Sequence, residues 1–321
     1  STAHELFHRQ VAEKIQRCWS LGVARRLGLE DVSAGPSWRV SQHPVELDLS
    51  GGVLSDLPAL PGHEAFAHVH RLNMSELGVP AEVLERFLAS FTRVHQLNLS
   101  RNGLTELPHS LSEFRHLTDL NLAHNDLAVT PLLQSRLNRL SGLEQLNLRG
   151  NRVTALDISA MTRLQSLDLS LTGIRAWPDG ALDLGQLQQL DLSHSAIKTL
   201  PDALFSGHDG LLAGTKLNGC QLSPESCAGL LACGQRTGRD RVGNIATTLL
   251  AAGKTGGTPE FFPIDAVDDP NLLLPDSPSL KTDAVLLTPD PVFDPADPGA
   301  SRTALLQRAN PELSLGEAVD C

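Results

Sequence analysis

No run of roughly 18 consecutive apolar residues occurs in this sequence, so nothing in it reads as a membrane-spanning helix. There is no basic excess either: the formal net charge is −11, whereas a nucleic-acid-binding surface normally needs a basic stripe. The imbalance is uneven. From Lys254 onward there are four Lys or Arg and twelve Asp or Glu, a net of −8, which leaves −3 for everything before it. Cysteine is sparse as well. Cys18, Cys220, Cys227, Cys233 and Cys321 form no CxxC pair and are odd in number, which argues against a secreted disulfide framework. A zinc site built from Cys220, Cys227 and Cys233 is not expected, because paired ligands usually sit about two to four residues apart.

Ser1-Thr2-Ala3-His4 opens neither a signal peptide nor a targeting helix. The start without Met leads us to expect an excised fragment, so that any export signal could have been lost. Gly253-Lys254-Thr255 resembles the end of a phosphate-binding loop, but Thr248 stands where that loop needs its first Gly. Twelve histidines are present, all before Asp209, yet no Ser/His/Asp set emerges from their spacing. No cofactor and no metal are expected.

What is abundant is one phrase, clearest as Val94-His95-Gln96-Leu97-Asn98-Leu99-Ser100-Arg101-Asn102-Gly103-Leu104, which reads LxxLxLxxNxL. Anchored on its second apolar position, it recurs at Leu47, Leu72, Leu97, Leu120, Leu146, Leu167, Leu190 and Thr215, at intervals of 21 to 26 residues. A period in the twenties with this pattern predicts a leucine-rich-repeat solenoid: an α/β, right-handed stack with a parallel sheet of about eight short strands. The strand cores should centre near Asp48, Asn73, Asn98, Asn121, Asn147, Asp168, Asp191 and Lys216, with the flanking leucines inward. Asn102, Asn125 and Asn151 fill the motif's Asn position, where a buried amide can bond the backbone groups of the turn. At the flanks that column decays to Gly52, Leu77, Thr172, Ser195 and Cys220, as terminal repeats must close the stack against water.

Four segments follow. Residues 1–43 should be a helical N-terminal cap and connector, since Phe7, Val11, Ile15, Trp19 and Val23 recur every four positions. A membrane-surface helix would share that stripe, but the mixed sign of its polar face favours a cap. Ser33 to Pro44 is turn-rich, and residues 44–222 carry the repeats. Leu57-Pro58, Leu107-Pro108, Trp177-Pro178 and Leu200-Pro201 predict short extended or 3₁₀ returns, and the longer repeats predict helices over Pro80–Phe91 and Pro131–Leu140. Residues 223–252 should be a C-terminal helical cap beginning at Ser223-Pro224-Glu225. Residues 253–321 read as an acidic, Pro-rich linker or tail, in which Ser301 could start a helix running through Arg308.

The candidate site is the outward face of the sheet. One row reads Asp48, Asn73, Asn98, Asn121, Asn147, Asp168, Asp191 and Lys216; its neighbour reads Glu46, Arg71, Gln96, Asp119, Gln145, Ser166, Gln189 and Gly214. Just past the strands come Arg101, His124, Arg149 and His194. His124 and His194 share a column but stand three strand steps apart, roughly 14 Å, too far to share a metal. We take Arg71, Asn73, Gln96, Asn98, Arg101, Asp119, Asn121, His124, Gln145, Asn147, Arg149, Asp168, Gln189, Asp191 and His194 as candidate partner-binding residues, because a curved array of side chains is what such solenoids present to other proteins. A plainly solvated polar face is the alternative.

The repeats, particularly Leu97 to Pro108 and Leu190-Asp191-Leu192 through Leu200-Pro201-Asp202, resemble bacterial leucine-rich repeats. The wider arrangement from Val45 to about Gly238, including Trp177-Pro178-Asp179-Gly180 and Gln235-Arg236-Thr237-Gly238, looks like the repeat portion of large Pseudomonas-type proteins related to the IpaH/SspH effectors. That resemblance implies a host protein substrate on the concave face, secretion into the host cytoplasm, and a novel E3 ligase domain that would engage a ubiquitin-conjugating enzyme. In that family the ligase carries ubiquitin on a Cys followed two residues later by Asp. No Cys-x-Asp occurs here, so no catalytic residue is assigned, and Cys321, preceded by Asp320, is expected to form no ubiquitin adduct. The alternative is a non-enzymatic binding or adhesion protein of the bacterial surface.

Overall fold

The computed structural model describes residues 2–27 and 45–237. The connector from 28 to 44, residues 238–252 of the far-end segment, the acidic tail with Gly253-Lys254-Thr255, the Ser301–Arg308 segment and Cys321 lie outside the described residues.

Eight strands form one sheet in the order of the chain: β1 (Val45–Asp48), β2 (Val69–Asn73), β3 (Gln96–Asn98), β4 (Asp119–Asn121), β5 (Gln145–Asn147), β6 (Ser166–Asp168), β7 (Gln189–Asp191) and β8 (Thr215–Lys216). Every pairing is parallel, and the anchor leucines are in register from rung to rung, Leu72 with Leu97 and Leu97 with Leu120. The chain is therefore a leucine-rich-repeat solenoid. Asp48, Asn73 and their equivalents end the strands instead of centring them, because the chain turns as soon as the inward leucines have been placed.

Inward positions are almost fully dry. Leu97, Leu99, Leu120 and Leu122 are each at most 2% exposed, and their column continues through all eight rungs as one apolar core. The interior of the second and third rungs is filled by Phe66, Phe87 and Phe91, whose rings meet in tilted pairs with centroids 5.0 and 5.2 Å apart. Returns on the far side follow the proline rule. Pro108 and Pro201 each lead directly into a 3₁₀ turn, His109–Glu113 and Asp202–Phe205. Helices α2 (Ala81–Leu88) and α3 (Pro131–Asn138) lie inside the two expected spans; Thr130 caps α3 by accepting from Leu133 N–H at 3.1 Å, with Pro131 at its first position. A short helix α4 (Asp209–Ala213) precedes β8, and α5 (Pro224–Thr237) closes the far end.

Helix α1 (Thr2–Arg26) covers the first rung, but its buried seam is Val11, Ile15 and Cys18, while Trp19 is 41% exposed. The four-residue stripe fails for a geometric reason: at about 100° per residue each step of four drifts by about 40°. By the third step Trp19 has left the seam, and Cys18 and Gly22 occupy it instead.

Gly214, just before β8, admits no side chain, since a β-carbon there would fall inside the backbone carbonyl of Gln188. Gly214→Ala should therefore separate the last two rungs and cost at least about 1–3 kcal/mol. Urea unfolding would show it, and an unchanged midpoint would contradict the close approach.

Candidate functional site

The outward side chains of all eight strands line one trough of about 810 Å³. Eleven of the candidate residues line it: Arg71, Asn73, Gln96, Asn98, Asp119, Asn121, Gln145, Asn147, Asp168, Gln189 and Asp191. Glu46, Ser166 and Lys216 join them. Arg101, His124, Arg149 and His194 do not; they sit on the rim beyond the strand ends.

Two rows that look alike in the sequence behave differently. The row between the inward leucines is turned back onto its own chain. Asn98 Oδ1 accepts from both the N–H (3.0 Å) and the hydroxyl (2.8 Å) of Ser100. Asn73 does the same with Ser75, Asp48 with Ser50 and Asp168 with Ser170. Asn121, Asn147 and Asp191 accept from the N–H two residues on. These are Asx turns, which hold the strand exit in place. Much of this row's bonding capacity is spent on the fold, so its amides offer less to a partner than the sequence suggests. The signal was present: Asn or Asp followed two residues later by Ser recurs in five of the repeats.

The neighbouring row carries fewer such duties. Arg71, Gln96, Gln145 and Gln189 are exposed. Asp119 is half-buried and accepts from the Thr118 hydroxyl at 2.7 Å. Long side chains on β3, β5 and β7 thus alternate with the shorter Asp119 and Ser166, giving the trough floor a ribbed profile. Lys216, at the far end, pairs with Asp191 at 3.3 Å.

The rim residues are set by a backbone feature that periodicity cannot show. The fourth residue past each anchor is left-handed: Glu76, Arg101, His124, Leu171 and His194 have φ between 53° and 60°, and Gly51, Gly150 and Gly219 occupy the same column. This conformation lets their N–H groups reach the next rung, as Arg101 N–H does to the Ala123 carbonyl at 3.0 Å. Arg101 and Arg149 therefore belong to different columns. Arg101 pairs with Glu76 at 3.3 Å, and Arg149 donates to the Ser170 hydroxyl at 2.9 Å.

Beneath the rim runs the Asn column. Asn102 accepts from Leu77 and Gly78 N–H and donates to the carbonyls of Met74 and Leu99. At the flanks smaller donors substitute. Thr172 reaches the Leu169 carbonyl at 2.6 Å, and the Cys220 thiol reaches Leu192 at 3.1 Å. Burial pushes the Cys220 thiol up, which keeps its proton available for that bond.

Among the described residues no cluster of three His, Cys, Asp or Glu could hold a metal ion, and no helix is long and apolar enough to cross a membrane. The sequence matches no family model and no curated protein. A leucine-rich-repeat protein of Leptospira interrogans is similar in structure, with 23% identity and a TM-score of 0.44 over 56% of this chain. The match spans 44% of that protein's own length.

Proposed function

We propose that the chain is a protein-recognition module whose partner lies along the trough and is read mainly by the Arg71, Gln96, Asp119, Gln145, Ser166, Gln189 row. The observation that supports this is the division of labour between the two rows. One is committed to the strand exits, and the other presents exposed polar side chains at regular spacing on a rigid sheet, which is the preorganisation that binding rewards. No nucleic acid and no membrane enter this reading, because the trough is bordered by acidic groups as well as basic ones.

The test is capture of partner from host-cell and bacterial lysates by the chain and by its Gln96→Arg, Gln145→Arg double variant. Neither glutamine carries a backbone bond in the strand exits, so melting should stay within about 1 kcal/mol of wild type, as for other exposed positions. Affinity for the captured partner should fall about tenfold or more if the two sites are central to the interface. Capture at the wild-type level would move the site to the rim or the convex side.

A finer proposal rests on the resemblance alone: substrate selection for a ubiquitin ligase carried elsewhere in a secreted bacterial effector, acting in the host cytoplasm. It is supported by the repeat phrases between Val45 and Gly238. Ubiquitination of the captured partner in host cells producing the protein would support it, and capture without modification would favour the surface-binding alternative.

A further inference from the structure

A row of imidazoles runs from the N-terminal cap across the first rungs. His68 lies against α1, its Nε2 2.8 Å from the Cys18 carbonyl and its ring set into the space left by the missing side chain of Gly22. His70 follows on β2. Its ring centroid is 5.2 Å from that of His95, which is 5.7 Å from that of His116. The buried Nδ1 atoms of His70 and His95 meet no hydrogen-bond partner. His70, His95 and His116 therefore sit ring beside ring, with the buried Nδ1 atoms of the first two unsatisfied.

The charged groups around it are largely cationic. Arg25 and Arg26 of α1 face His68, as does His70; His70 and His116 flank His95, where only the Arg93 backbone favours a proton. Two carboxylates are close by. Glu64, on the turn that carries the row's first member, has a partner of its own, and its backbone carbonyl takes the Arg26 guanidinium at 3.3 Å. Asp119, on β4, is held by Thr118. The Cys18 thiol, pushed up to about 11 by burial, adds no negative charge.

We propose that α1 is an acid-released cap: a proton taken up by His68, the member of the row seated against Cys18 and Gly22, detaches this helix from the first rung. A proton on His68 must be held in a half-buried site beside the two arginines of α1. Both penalties are relieved when α1 leaves, because His68 becomes hydrated and Arg25 and Arg26 are carried away. What is uncovered is the edge of β1 that, among the described residues, pairs with no other strand, and the apolar ground beneath Val11 and Ile15. An unpaired strand edge is a ready site for association.

The sign follows from the direction of the shifts. Burial lowers the affinity of His68 for protons in the docked state, the bond to the Cys18 carbonyl opposes it, and Arg25 and Arg26 lower it further. The undocked state then binds more protons, and docking weakens as pH falls below the ordinary histidine range of about 6.5. For each proton taken up on release, the opening constant rises up to about tenfold per pH unit.

Hydrogen exchange of α1 amides in the full chain between pH 7.5 and 5.0, corrected for intrinsic rates, reads this constant directly. We expect α1 protection to fall below pH 6.5 with a slope of about one proton, while β4 to β6 stay protected. The quadruple variant His68→Gln, His70→Gln, His95→Gln, His116→Gln should flatten the slope, since glutamine can still donate to the Cys18 carbonyl but cannot charge. Protection of wild-type α1 that is independent of pH would overturn the proposal, as would an undiminished slope in the variant. If the variant does not fold, imidazole proton resonances of the wild-type chain decide. Titration of His68 in step with α1 opening supports release, and titration with α1 still protected overturns it.

Discussion

Asn125→Leu is expected to lower the stability of the solenoid by about 4 kcal/mol, although leucine is apolar, branched like asparagine and would be surrounded by leucines. Asn125 is 6% exposed and makes four backbone bonds. Its Oδ1 accepts from Asn102 N–H at 2.9 Å and Leu104 N–H at 3.1 Å; its Nδ2 donates to the Leu99 carbonyl at 3.0 Å and the Leu122 carbonyl at 2.9 Å. These partners lie on two successive rungs, so one amide closes one turn and ties it to the previous one. Leucine would leave the Asn102 and Leu104 N–H groups without a partner in a dry environment, where each buried unsatisfied polar group costs about 1–3 kcal/mol, while the Leu99 and Leu122 carbonyls would each lose one of two bonds and keep the amides of Asn102 and Asn151. Urea unfolding would measure the loss, and a midpoint equal to wild type would show that these bonds do not hold the rungs together. Cys220→Leu, by contrast, removes a weak thiol donor and should cost much less.

The second large effect is expected at Leu120, which is 2% exposed in the middle of the stack. Leu120→Ala should cost about 2–5 kcal/mol, because a rung clamped on both sides cannot collapse into the cavity. Its neighbour Asn121 faces the trough, where its side chain accepts one bond, from Ala123 N–H at 3.0 Å. Asn121→Ala should therefore cost about 0.5–1.5 kcal/mol, the net worth of such a bond. Comparable shifts in melting temperature for the two variants would contradict the register of β4.

That contrast also shows where the sequence is a sufficient guide. Leu120 in and Asn121 out is dictated by strand alternation, a property of consecutive residues. The period of the phrase dictates eight rungs, and Pro108 and Pro201 dictate 3₁₀ returns by removing an N–H and restricting the residue before them. The identity of the Asn column was legible for a similar reason: an amide in an apolar frame needs bonding partners, and the turn of each repeat is the nearest supply.

Other features were out of reach because they depend on which rung lies next to which. Asn98 and Gln96 are both exposed amides by pattern, yet the first is claimed by Ser100 and the second stays exposed in the trough. Arg101 and Arg149 seem equivalent just past their strands, but the left-handed residue at Arg101 and at Gly150 puts them in different columns. Trp19 belongs to the seam of α1 by a four-residue count and leaves it by a 3.6-residue one.

By itself, then, the sequence determined the solenoid, its register, its dry interior and its outward polar face, since alternation and repeat length are local rules that stacking merely multiplies. Only the tertiary structure decided which polar side chains remain available and how His70, His95 and His116, more than twenty residues apart in the chain, come to lie ring beside ring. Hydrogen bonds between rungs and like charges across them are set by distances of a few ångströms between segments that the sequence keeps apart, and those distances exist only after the rungs have stacked.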